Sequence, residues 1–154
     1  MFVCLVAVNV VVYYLPMRAD MTEEKLYTIS EGSKSILSKL KDPLRIKYYF
    51  SSSSEDLPPY LKNYAERVQE VLVEYENLSS GNITLEVFDP KPDTEEEEWA
   101  ERYGIKAATP PQGNRLFFGA VVLMLDQEMT LPFFDPRRER FLEYDLSQAI
   151  LKVS

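Results

Sequence analysis

Residues 44–88 read LRIKYYF SSSSEDLPP YLKNYAERVQEVLVEYENL SSGN ITLEVF, and this stretch decides the fold. In Leu44–Phe50, the residues Ile46, Tyr48 and Phe50 alternate with Lys47 and Tyr49, the two-residue period of a strand. Ser51 to Asp56 is a polar loop, and Leu57-Pro58-Pro59 leads into a helix, because the missing N–H of proline has no partner in a first turn anyway. From Tyr60 to Leu78 the apolar residues Leu61, Tyr64, Ala65, Val68, Val71, Leu72, Tyr75 and Leu78 recur at 3–4 spacing, with Lys62, Glu66, Arg67, Glu70, Glu74 and Glu76 between them. Ser79-Ser80-Gly81-Asn82 ends that helix. Ile83, Leu85 and Val87 then alternate with Thr84 and Glu86 up to Asp89-Pro90, a second strand. Two strands joined by a crossover helix run parallel when they neighbour each other in one sheet, with a right-handed connection.

Downstream, Asp93–Glu98 is a run of five acids broken by Thr94, placed where a helix macrodipole welcomes negative charge. Trp99, Ala100 and Tyr103 give that helix an apolar side, and Gly104 closes it. Ala107–Asn114 reads as a Pro/Gly-rich loop. Leu116–Leu125, LFFGAVVLML, reads as a buried central strand, since ten residues are too few to cross a bilayer. After a turn at Asp126-Gln127-Glu128, residues 129–134 return as an antiparallel partner. Leu142, Leu146, Ala149, Ile150 and Val153 mark a closing helix. Upstream, Ile36, Leu37 and Leu40 give a short lead-in helix that Thr28 or Ser30 can cap and Asp42-Pro43 stops. The order β-α-β-α-β-β-α buries all these stripes most simply in a central mixed sheet with helices on both faces. That is the order of a thioredoxin-like three-layer sandwich, expected over residues 19–154 and preceded by an apolar segment, residues 1–18.

Composition narrows the chemistry. Of 154 residues, 45% are apolar and 27% charged, the balance of a folded domain. A formal charge of -8 argues against a broad phosphate-backbone contact, which needs a basic face. The chain has no histidine, which removes imidazole bases and histidine metal ligands, and one cysteine, Cys4, which removes an intrachain disulfide and a CxxC pair. Met1–Leu15 is apolar except for Asn9. Fifteen helical residues span about 22 Å against a bilayer core of about 30 Å. The segment therefore reads as the end of a truncated membrane span, as a Val/Tyr-rich strand, or, less well, as a secretory signal. As a strand, residues 8–14 would offer an edge for homodimerisation.

In a thioredoxin-like enzyme the nucleophile sits after the first core strand, where this chain has Ser51–Ser54. No histidine or SxxK lysine is placed to activate a serine there, so a polar loop is the preferred reading. Ser52 and Ser53, with Thr109 and Pro110 ahead of the hairpin, outline a candidate groove. A cis bond at Pro110 or Pro111 would support it, and plain turn chemistry is the alternative. The acids of 93–98 lack EF-hand spacing and read as a solvated helix start rather than a calcium site. Arg137, Arg138 and Arg140 with Glu139 and Glu143 form a charged cluster, readable as a solvated turn or as a docking edge. Exposed coplanar aromatics such as Tyr13, Tyr14, Tyr48 or Tyr49 would instead mark a carbohydrate- or polymer-binding module. No catalytic residue, metal ligand or cofactor site is expected.

Three segments carry a family resemblance: ADMTEEKLYTIS at 19–30, LFFGA at 116–120 and LPFFDPRRERFLEYDL at 131–146. Together they resemble the amino-terminal extracytoplasmic region of the GldG-like gliding-motility proteins, auxiliary components of an ABC-type transport system, over residues 5–153. Met21 stands where the family pattern has leucine. The resemblance implies a membrane span just before the Asp20 segment, a folded domain on the periplasmic side, and a second, larger domain beyond Ser154. It implies an accessory role with an ABC permease and an ATPase as partners, and no reaction of its own. ATP hydrolysis would belong to another subunit, since no GxxxxGK[ST] occurs here. The alternative is a stand-alone peptide- or polymer-binding domain on a redox-inactive scaffold.

Overall fold

The structure, a computed structural model, describes residues 28–154. The apolar start, Tyr13, Tyr14 and the 8–14 dimer edge therefore lie outside the described residues. Helix α1 (Glu31–Ser38) begins at Ser30, whose Oγ accepts from the Ser33 N–H at 3.3 Å, as the capping reading expects. Strand β1 (Leu44–Phe50), helix α2 (Pro59–Leu78) and strand β2 (Ile83–Phe88) follow. Then come helix α3 (Glu95–Arg102), strands β3 (Ala107–Ala108), β4 (Leu116–Met124) and β5 (Gln127–Leu131), a 3-10 turn (Pro136–Phe141) and helix α4 (Leu142–Val153).

β1 and β2 are parallel, with Ile46 opposite Leu85 and Tyr48 opposite Val87. β4 runs antiparallel to β1 on its other side, with Tyr48 opposite Ala120. β4 and β5 form the expected hairpin. The element order departs from expectation by one strand: Ala107–Ala108, read as loop, pairs with Leu116–Phe117. Two residues are too few for a periodicity to register. β3 and β5 meet along one edge of β4, where the Lys106 N–H donates to the Pro132 carbonyl at 2.9 Å. A side chain at Gly119 would put its Cβ 2.6 Å from the Leu131 carbonyl oxygen and 2.8 Å from Ile105, so this junction closes only over glycine. The β4–β5 turn is tighter than expected, two residues long, and holds Leu125 at φ 53° with its side chain in solvent.

The sheet is open and mixed, with helices on both faces. Alternation along β1 and β4 sends Ile46, Tyr48, Phe50, Phe118, Ala120 and Val122 to one face. There they meet the stripes of α2 and α4 and Leu37 of α1. Phe118 is fully buried among the rings of Phe50, Tyr64 and Phe134. The Tyr48 hydroxyl, equally buried, donates to the Ala65 carbonyl at 3.1 Å, and burial pushes its pKa far up. The other face carries Tyr49, Phe117 and Val121, covered by Ala100 of α3 and by Ile105. β2 is an edge strand, and two of its outward amides are taken by side chains of α2 and its cap: Ile83 N–H donates to Ser79 Oγ at 2.9 Å and Leu85 N–H to Glu76 Oε1 at 2.8 Å.

Candidate functional site

The carboxyl ends of β1 and β2 open on a cavity of about 240 Å³ lined by Ser53, Ser54, Pro90, Lys91, Asn114 and Arg115 among others. This is where the candidate groove was expected, but only Ser53 of the four residues lines it. Ser52 is exposed and does not line it, and Thr109 and Pro110 sit in the loop between β3 and β4. Pro110 and Pro111 are both trans, which leaves the turn-chemistry alternative. The physical reason for the substitution is Asp56. Its Oδ2 accepts from the Asn114 N–H at 3.1 Å and draws the 113–115 limb, not the 109–110 limb, over the cleft. Gly113, at φ 134°, permits this approach, since a Cβ there would lie 2.5 Å from the Asp56 carboxylate.

Several polar groups of this cleft are engaged within the protein. Ser51 Oγ donates to the Pro90 carbonyl at 3.1 Å and accepts from the Phe117 N–H at 3.0 Å, with the residue 2% exposed. It fastens the ends of three strands together. The Ser53 N–H donates to Asp89 Oδ1 at 3.2 Å. Arg115 pairs with Glu97 and Glu101 and lies over the Phe117 ring. No group here is poised as a nucleophile with a base beside it.

The charged cluster divides. Arg137 pairs with Asp135 at 2.7 Å, and its fork holds the Asp135 carboxyl below the usual carboxylate range. Arg138 pairs with Asp145 at 3.2 Å. Arg138 and Arg140 both lie over the Phe141 ring, at 5.2 and 4.7 Å from its centre. Glu143 does not belong with them. Its Oε1 accepts from the Ser30 N–H at 2.8 Å and from Ser33 Oγ at 2.6 Å. Ser33 Oγ continues to Ser147 Oγ, and Ser147 to the Tyr75 hydroxyl, each at 2.8 Å. Partial burial pushes the Glu143 carboxyl up, but the bonds from Ser30 and Ser33 outweigh it and leave its pKa lowered. Glu143 is a strut joining α1 and its capping residue Ser30 to α4.

Tyr48 and Tyr49 are buried, 0% and 1% exposed, so they cannot present a binding platform. The accessible aromatics on the sheet's second face come from elsewhere. A cavity of about 230 Å³ between α3 and the sheet is lined by Lys47, Tyr49, Phe88, Glu95, Glu96 and Trp99. Lys47 Nζ sits 5.8, 5.9 and 5.4 Å from the ring centres of Phe88, Trp99 and Tyr103. The indole N–H of Trp99 donates to Glu95 Oε1 at 3.3 Å, and Tyr103 stacks on the indole at 5.7 Å. Tyr49 stacks on Phe88 at 4.8 Å, and burial beside Tyr103, Glu86 and Glu96 pushes its pKa up to about 12. Sequence reasoning missed this site because its rings come from three elements. The available signal was the parallel register, which sets Lys47 beside Glu86 and Tyr49 beside Phe88.

Among the described residues, no three His, Cys, Asp or Glu side chains converge to hold a metal ion, and no helix is long and apolar enough to cross a membrane. The acids of 93–98 diverge to Arg115, Arg102 and Trp99. A comparison with curated proteins finds no match. A family model matches residues 23–123, which includes the end-of-strand cleft and the aromatic pocket but not the 137–143 cluster. On that match, the chain belongs to the family described as Domain of unknown function (DUF7088).

Proposed function

We propose that the domain is a non-catalytic docking module of an ABC-type transport or gliding-motility system, held at the membrane by its amino-terminal segment on the periplasmic side. Its scaffold is thioredoxin-like in this reading. The observation that supports the reading is the state of the end-of-strand cleft. Where a thioredoxin-like enzyme keeps its reactive groups, Ser51, Asp56 and Arg115 are bound to the protein's own backbone and acids. A site spent on holding strands together leaves recognition to the surface.

The docking edge that fits is the 133–144 segment without Glu143. It exposes Phe133, Phe141 and Tyr144 beside Arg137, Arg138 and Arg140, the aromatic and arginine composition typical of interface anchors. The peptide-groove alternative loses support because Thr109 and Pro110 do not line the cleft and both prolines are trans.

The test is affinity isolation of the complete natural protein from detergent-solubilised native membranes, with mass spectrometry of what accompanies it. Recovery of an ABC permease and its ATPase, reduced by Arg140→Glu with Tyr144→Ala, is the expected result. Clean recovery of the bait alone, from membranes in which those subunits are detectable, refutes the docking role.

A further inference from the structure

The pocket under α3 carries a chemistry that docking does not use. Three of its lining residues, Tyr49, Phe88 and Trp99, are aromatic; one, Lys47, is a cation; two, Glu95 and Glu96, are acids. The walls are set before any ligand arrives. Trp99 is held by Glu95, by Tyr103 and by Arg102, whose guanidinium lies 5.0 Å from the indole centre. Phe88 is held by Tyr49. Such fixed walls lower the ordering cost of binding.

A second observation concerns Glu86. It is in register with Lys47 and lies two residues before Phe88 on the same face of β2. Two opposite charges on neighbouring strands would ordinarily pair. No such ion pair forms here: Lys47 turns to the rings, and Glu86 Oε2 is buried with no hydrogen-bond partner. Lys47 thus lines the pocket with its ammonium turned toward the rings and not toward Glu86.

Charge then selects the ligand class. An anion entering this pocket meets Glu95 and Glu96. A cation meets Lys47, whose ammonium already lies over the rings of Phe88, Trp99 and Tyr103. A neutral molecule with several hydroxyls meets neither repulsion: it can accept from Lys47, donate to Glu95 and Glu96, and lay its C–H surface on Trp99 and Phe88, the pocket's accessible rings. We propose that this pocket binds a single sugar ring, as a free saccharide or as one residue of a glycan. The proposal stands whether or not the domain docks to a transporter.

Trp99 is the single tryptophan of the chain, so its fluorescence reads the pocket without a label. The experiment titrates the full chain, in a detergent without a sugar headgroup, with D-glucose, D-galactose and N-acetyl-D-glucosamine up to tens of millimolar. A saturable Trp99 response to at least one of them is expected. Glu96→Gln and Lys47→Met, each checked for an unchanged far-ultraviolet spectrum, should each weaken it by about tenfold, as loss of one charge-assisted hydrogen bond would. Should Lys47→Met fail to fold, Glu96→Gln decides alone. No saturable response to any of the three sugars overturns the proposal. So does a response that both variants leave intact, or one given instead by tetramethylammonium or acetate, which would assign the pocket to an ion.

Discussion

The two faces of the sheet are built to different standards. One is roofed by three helices, and every β1 and β4 residue that points to it is buried. The other is roofed by the eight residues of α3, and its aromatics grade from the buried Tyr49 to Trp99, 39% exposed. The first face is packed along its strands and opens only at one end, in a cleft lined by Leu40, Met124 and Leu151 among others. The second combines rings, a cation and acids around a space, which is how a stable scaffold keeps part of itself available.

That contrast can be broken most forcefully at Phe118. Phe118→Ala should cost about 3–5 kcal/mol, since its ring is wholly enclosed, while Phe88→Ala on the thin face should cost about 1–2 kcal/mol. Equal losses in urea unfolding would show that the faces do not differ. Gly119→Ala tests the seam between them, where β3 and β5 meet. Its Cβ would strike backbone that has no rotamer to yield, so a loss of about 1–3 kcal/mol is expected, read as a lower thermal midpoint.

Glu143 sharpens the comparison through pH. Its carboxyl pKa is lowered on folding, so its contribution is present above the unfolded value near 4.5 and is lost as pH falls through the folded value. Glu143→Gln should therefore lose about 1 kcal/mol at neutral pH, the order of a half-exposed charge-assisted bond, and match the parent in acid. A gap that persists unchanged below that range would mean the carboxylate charge is irrelevant. The smallest effect is at Leu125. Leu125→Gly relieves a left-handed backbone at a cost in chain entropy, for a net gain of about 0.5 kcal/mol in the same unfolding assay.

The elements that span many residues were legible because their periods are long enough to count. The stripe from Leu61 to Tyr75 and the alternation of Ile46, Tyr48 and Phe50 give the thick face directly. Tyr49 shows where this fails. Alternation with Tyr48 assigns it to the opposite face, but it cannot say that α3 covers that face too. Ser51 shows a second failure: a serine in a run of four looks solvated, and only the meeting of three strand ends reveals it as a fastener. The Asp135–Arg137 pair was within reach of local spacing. The bond from Glu143 to Ser33 spans 110 residues and was not.

The side chains on the outer edge of β2 bear on how the domain behaves in a crowd. Ser79 and Glu76 occupy the Ile83 and Leu85 amides, where a second molecule would have to lay its own strand. An arriving strand finds filled donors and a carboxylate instead of a template. This stretch of the β2 edge is thereby closed to a neighbour's strand.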